Sequence, residues 1–237
     1  MCDQRLWTQV WEALTPLISS STQLIHLSIP SLPTIDEISA HLSTLIANDS
    51  YLVGFSLGGY LASDIALKFP NKITKLLLIS NMSSALPAKE KKERARTVQW
   101  IKSNGYKGIP DKRINNLLSP IAHNNYKIKD IICAMDNTLG KEVLLQQLKV
   151  TTQRENLLPT LLVLTSPIIF CIGEHDSLVD IARIQKNMIF AQEQHLTKTA
   201  KTHFNKALKV LKNTGHMLPL EQPDKLAHII AEWFLEK

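Results

Sequence analysis

Glycine and cysteine are both scarce in this chain, with 8 and 3 residues among 237. The cysteines, Cys2, Cys133 and Cys171, are odd in number and widely spaced, which excludes a disulfide framework and a zinc pattern and predicts a reducing, cytoplasmic setting. Long hydrophobic runs are missing too. The most apolar stretch, Leu157 to Ile172, is too short for a membrane span and contains Pro159 and Pro167. The first residues, MCDQRLWTQVWEAL, scatter Asp3, Arg5 and Glu12 among apolar side chains, so they predict no signal peptide. Repeats, low-complexity tracts and basic–aromatic interleaving of the kind that binds nucleic acid are also lacking. What is present is ordinary globular composition, 44% hydrophobic and 20% charged. The length suits one domain, or one domain with a cap.

The net charge of +6 is unevenly distributed. Leu86 to Val150 holds 13 Lys/Arg and 6 Asp/Glu, a net of +7, which leaves −1 for the remainder. Such a segment either draws an acidic partner or substrate, or is simply a solvated helical surface.

Apolar spacing organises the chain. Arg5 to Leu14 has helical periodicity, closed by Pro16. LIHLSI, Leu24 to Ile29, reads as a short buried strand. After Pro33 a helix is expected with Ile35, Ile38, Leu42, Leu45 and Ile46 on one face. YLVGF is the next strand, LGGYLASDIALKF the next helix, and ITKLLLIS a further strand. This alternation predicts an α/β fold with a doubly wound, mostly parallel sheet. Continuously apolar strands such as KLLLIS and SPIIFCI fit a sheet covered on both faces. From about Pro87 to Leu158 the patterns are helical only, beginning with AKEKKERARTVQWIKSNG and its stop at Gly105. The expected organisation is a core of residues 1–85 and 159–237, with residues 86–158 inserted as a helical cap.

Three of the eight glycines, Gly54, Gly58 and Gly59, crowd around one serine in YLVGFSLGG. GFSLG matches G-x-S-x-G between an apolar strand and a helix, the context of a nucleophile elbow. There Ser56 projects from a strained turn at the carboxyl edge of the sheet, and the helix N-terminus behind it offers backbone N–H groups. The plainer reading is that the glycines only allow close helix–strand packing.

A serine hydroxyl needs a base, and the base needs an orienting carboxylate, here in the chain order Ser, acid, His. PIIFCIGEHDSLVD ends a strand at Gly173 and offers Glu174, His175, Asp176 and Asp180. Asp176 suits the loop before the next helix, with a helix N-cap as its alternative role; Asp180 suits the opening turns of that helix. His216 follows Gly215 in a loop after the last strand, Ala207 to Leu211. His26, His41 and His228 read as lying within regular elements, His123 within the cap, and His195 and His203 within an irregular polar stretch.

GFSLGG, GEHDSLV and GHMLPLEQP together resemble the nucleophile, acid and histidine motifs of the α/β-hydrolase superfamily, over nearly the whole chain. The likeness is nearest to small bacterial carboxylesterase-like members, such as the pimeloyl-ester carboxylesterase of biotin synthesis and menaquinone-pathway relatives. QQLKVTTQRENLLPTL is similar to the end of the cap in such proteins. The resemblance implies Ser56 as nucleophile, Asp176 as orienting acid, His216 as base and the backbone N–H of Leu57 as an oxyanion donor. It implies hydrolysis of a carboxylic ester or thioester without cofactor or metal. The basic cap, including Lys89, Lys91, Lys92, Arg94 and Arg96, is then a docking face for an acidic acyl carrier protein. Some relatives carry Asp after the strand equivalent to KLLLIS; Asn81 stands there instead, which favours Asp176.

One departure from the family pattern matters. Relatives open with a strand and a His-Gly pair that supplies a second oxyanion N–H, whereas Met1 falls about where that loop belongs and no glycine precedes Gly54. The expectation is a fold without its first strand or strands. Either residues precede Met1, or the enzyme is truncated with impaired activity, or Met1 and Cys2 offer a substitute donor. The alternative function is an inactive or non-hydrolytic relative: a lyase, a carbon–carbon hydrolase or a binding remnant.

Overall fold

The computed structural model describes residues 1–198 and 204–235. Four strands form one parallel sheet in chain order: β1 (Ser50–Phe55), β2 (Ile73–Ile79), β3 (Ile168–Gly173) and β4 (Lys206–Leu211). Their sequence explains their burial. A strand sends successive side chains to opposite faces, so an apolar run without alternation must be covered twice. In β2, Leu77 and Ile79 enter one core while Leu76 and Leu78 enter another. β3 is buried at every position.

The two cores are closed by different helices. On the Leu76 face lie α2 (Ile35–Leu45), α3 (Leu57–Lys68), α7 (Leu158–Leu162) and α8 (Ile181–Lys198). On the Leu77 face lie α1 (Thr8–Leu14), the short α9 (Leu218–Glu221) and α10 (Pro223–Leu235). Crossovers of one hand that always step the same way across a sheet put their helices on one face. This accounts for α3 and α8, and it leaves the other face to the terminal helices. The result is the two-sided parallel α/β sheet that the alternation predicts.

Between β2 and β3 the chain forms α4 (Ala88–Asn104), α5 (Asp111–Leu117), α6 (Tyr126–Thr151) and α7, with no strand among them. α4 ends at Gly105, whose φ of 76° is the left-handed stop expected there. α6 is two helical pieces joined at Gly140, which has φ 72° and ψ −177°.

LIHLSI is not a strand. Residues 22–32 carry no regular structure, and Ile25 is 61% exposed. An extended apolar run becomes a strand only when a neighbour takes its backbone N–H and C=O groups. Here no backbone hydrogen bond joins residues 24–29 to β1, the edge strand of the sheet, among the described residues, and both segments line one cleft instead. His26 accordingly lies in an irregular segment, not in a regular element. Of the apolar face expected on α2, Ile38, Leu42 and Ile46 are buried, whereas Leu45 is 53% exposed beside that cleft.

Candidate active site

Parallel register brings the strand ends to one edge. Phe55 pairs with Ile79, Ile79 with Cys171, and Gly173 with Leu211. The segments that follow carry Ser56, Asn81, Asp176 and His216, so residues far apart in sequence share one rim.

At the elbow, Ser56 adopts φ 49° and ψ −116°, a left-handed conformation unusual for a residue with a side chain. The surroundings hold it there. Its N–H donates to Ile79 O at 2.9 Å, and its carbonyl accepts from Asn81 Nδ2 at 2.7 Å and from the N–H groups of Gly59 and Tyr60. Two of the three glycines are needed for close approach. A Cβ on Gly54 would stand 2.5 Å from Gly58 O, and one on Gly59 would stand 2.8 Å from Asn81 Cβ. Gly58 faces open space. The strained serine and the tight strand–helix packing are therefore both present.

The acid and histidine loops are laced together. His175 N–H donates to Thr214 O at 2.8 Å, and Asp176 N–H to Gly173 O at 3.0 Å. Gly173 is required here too, because a Cβ would meet Gly215 O at 2.2 Å. His216 N–H donates to Leu117 O at 2.8 Å, and Ser80 Oγ donates to the His216 carbonyl at 2.8 Å. The Phe55 ring lies 5.3 Å from the imidazole.

Within this frame Ser56 Oγ lies 2.9 Å from His216 Nε2, and His216 Nδ1 lies 2.9 and 3.0 Å from the two Asp176 oxygens. An ionised carboxylate only accepts hydrogen bonds, so Nδ1 carries the proton and donates to Asp176. Nε2 is then free to accept from the serine hydroxyl. Asp176 and His216 are 7% and 5% exposed. Leu57 opens α3, and its N–H is one of the first-turn donors that the helix itself does not use.

The competing acids are occupied elsewhere. Glu174 accepts from Asn213 N–H, and Asp180 accepts from Arg183 N–H at the start of α8. Asp176 also accepts from Leu178 N–H at 2.9 Å, so it closes its own turn as well as holding the histidine. His175 is paired only loosely with Glu174, at 3.7 Å. His41 and His228 lie in α2 and α10, and His123 follows a short 3-10 turn. His195 falls within α8, not in an irregular stretch, because the helical run of α8 continues to Lys198. His203 lies outside the described residues.

Four supports were not legible as such in the sequence: the Asn81 amide, the Ser80 hydroxyl, the Leu117 carbonyl and Glu221. The Glu221 oxygens accept from Gly215 N–H and Ser119 N–H. Glu221 stands close to His216 in GHMLPLEQP, and that proximity is the one signal available. A backbone carbonyl such as that of Leu117 leaves no trace in side-chain identity.

Ser56 and His216 open into a cleft of about 1750 Å³. Besides β1 and Thr22–Ile29, it is walled by Met1 to Asp3 and by Trp100, Ile101, Val143 and Leu144 of α4 and α6. No helix among the described residues is long and apolar enough to cross a membrane.

Comparison with known proteins bears on the family and the fold. The family model described as serine aminopeptidase, S33, matches residues 34–223. A pimeloyl-[acyl-carrier protein] methyl ester esterase of Aromatoleum aromaticum is 33% identical over 81 residues, which is 31% of this chain and 32% of that protein. The chain thus matches about a third of the length of this curated relative. Among solved structures, a thermophilic esterase from Thermogutta terrifontis superposes with a TM-score of 0.72 at 21% identity, covering 98% of this chain and 85% of the other. A hydrolase from Pseudomonas aeruginosa PA01 gives 0.74 at 16% identity, covering 95% and 84%. At such identities the structural likeness speaks for the fold. The family match spans most of the chain, and the protein belongs to the serine aminopeptidase S33 family of α/β hydrolases.

Proposed function

We propose that this protein hydrolyses a carboxylic ester or thioester through an acyl-enzyme on Ser56. The observation that carries the reading is the continuous chain from Asp176 through His216 to Ser56, 2.9 Å at each link, ending on a serine in a strained elbow. Ser56 Oγ attacks the carbonyl carbon as His216 Nε2 takes the hydroxyl proton. The tetrahedral oxyanion is stabilised by the Leu57 N–H. His216 returns that proton to the departing alcohol or thiol, which leaves acyl-Ser56. Water, giving a proton to the same nitrogen, then attacks the acyl carbon, and Ser56 leaves with that proton. Asp176 orients the imidazole and stabilises its charged form.

Apolar side chains in the cleft walls and the esterase name of the curated relative support an acyl substrate. Residues 86–158 act as a cap: α4 and α6 overlie the cleft with Trp100, Ile101 and Leu144. An acidic acyl carrier protein docks on α4. Arg94 is already engaged by Glu90 and Thr151, and Lys91 by Gln153, so the available charges are the exposed Lys89, Lys92 and Arg96.

Intact mass after treatment with a fluorophosphonate tests the chemistry. A single adduct on the wild type that is absent from Ser56→Ala is the expected result; no adduct on folded wild-type protein overturns the reading. Docking is tested by reversing Lys89, Lys92 and Arg96 to Glu. Carrier-linked ester turnover should fall while turnover of a short free ester holds, and equal turnover of the carrier-linked ester removes the carrier from the proposal.

A further inference from the structure

Arg154, just beyond α6, is the least conventional charge near the site. It is half-buried, and it is held from two sides. Its Nε donates to Ser84 O at 2.8 Å, and its guanidinium carbon lies 5.0 Å from the centroid of the Tyr60 ring. Burial raises Tyr60 to about 12, so the ring is a neutral phenol, and its hydroxyl donates to Glu155 O at 3.2 Å.

Both anchors belong to the elbow. Tyr60 lies four residues beyond Ser56 on α3, roughly one helical turn or about 6 Å along the axis. Ser84 lies three residues beyond Asn81, whose amide holds the Ser56 carbonyl. Arg154 and Ser56 line the same cleft.

What Arg154 lacks is a counter-ion. Among the described residues no carboxylate lies within ion-pair distance of it, and Glu90, which it feels electrostatically, is bound to Arg94 at 2.8 Å. Burial first, and then the positive charge of Arg94, lower it to about 10. A guanidinium withdrawn from water without an anion is costly, and its planar fork matches carboxylate or phosphate oxygens. Tyr60 and Ser84 fix Arg154 in place, so no rearrangement is needed to receive one.

We infer that Arg154 forms an anion subsite in the catalytic cleft that binds a carboxylate or phosphate carried by the substrate away from its scissile ester. This rests on the reading of Ser56 as nucleophile for its place in catalysis, though not for the binding itself. It narrows the substrate to an ester bearing a remote negative charge.

The first test uses Ser56→Ala protein, titrated calorimetrically with glutarate and with inorganic phosphate, beside Ser56→Ala/Arg154→Gln. One of the two anions is expected to bind, and to lose affinity by roughly 10- to 100-fold without the guanidinium, as for one charge-assisted hydrogen bond. The anion that binds identifies the source. Arg154→Lys should retain part of the affinity, and its comparison with the Ser56→Ala parent gives a second reading should Arg154→Gln fail to fold. With Ser56 intact, the ratio of kcat/KM for an ω-carboxylated p-nitrophenyl ester to that for its methyl-capped counterpart should exceed one. It should drop by a similar factor in Arg154→Gln. Neither anion binding, or binding equal with and without the Arg154 guanidinium, overturns the inference even where fluorophosphonate labelling succeeds. Arg154-dependent binding without labelling overturns the hydrolase reading alone.

Discussion

Gly54 and Gly58 sit four residues apart and have opposite tolerances. A Cβ at Gly54 meets only backbone, Gly58 O at 2.5 Å and Gly59 Cα at 2.7 Å, so α3 has to move away from β1. Gly54→Ala should cost about 1–3 kcal/mol, as overpacking does, and should slow fluorophosphonate labelling because Ser56 moves with α3. Gly58→Ala meets nothing within 4 Å and should leave urea stability equal or up to roughly 1 kcal/mol higher. Equal losses in the two variants would show that elbow packing is not what selects glycine. Under the proposed mechanism, Asp176→Asn should lower kcat by about 10⁴ while leaving the fold intact, because Nδ1 loses the acceptor that fixes its tautomer. Lys206 offers a pH test. It is 8% exposed, donates to Leu164 O, Ser166 O and Asn205 Oδ1, and is lowered by burial from 10.5 to about 8. Between those values the unfolded chain holds a proton that the folded protein has released, so stability rises with pH across that window. Urea melts at pH 8 and pH 10 should differ in that direction, and Lys206→Met should flatten the difference.

At the scale of elements, most boundaries were written locally. Helix α2 begins at Thr34, whose Oγ1 accepts from Glu37 N–H at 3.1 Å and donates to Glu37 Oε2 at 2.8 Å. This is the side-chain half of a capping box in TIDE, with Glu37 returning to the Thr34 hydroxyl, and it is a sharper start signal than Pro33. Thr34→Ala should lower stability by roughly 1 kcal/mol in denaturant melts. Gly105 stopped α4 as its position suggested. The strand expected at Leu24–Ile29 failed for a reason no local pattern carries, since pairing depends on whether another backbone lies alongside. The break of α6 at Gly140 was equally silent, because a single glycine inside a helical pattern marks a kink only when packing asks for one.

For the whole molecule, the sheet divides the apolar side chains into two cores, and the rim that carries Ser56 and His216 depends on both. Leu77, fully buried on one face, holds β2 against the α1–α10 layer, and β2 in turn receives the Ser56 N–H at Ile79 O. Leu77→Ala should cost about 2–5 kcal/mol. Thermal melting would measure it, and a loss under 1 kcal/mol would mean that the core relaxes around the cavity.

By itself the sequence determined the strand–helix alternation, the two-faced burial of KLLLIS and PIIFCIG, and Ser56 and His216 as candidates with their order along the chain. Those features are local. Periodicity, a glycine next to a strand end, and a histidine after Gly215 are set by near neighbours. Only the tertiary structure decided which of four groups in GEHDSLVD meets His216, that Leu117 clamps the histidine loop, and that Arg154 stacks on Tyr60 with no carboxylate partner among the described residues. Contacts of that kind join residues 40 to 160 positions apart, and which of them form depends on how the two cores close around the sheet.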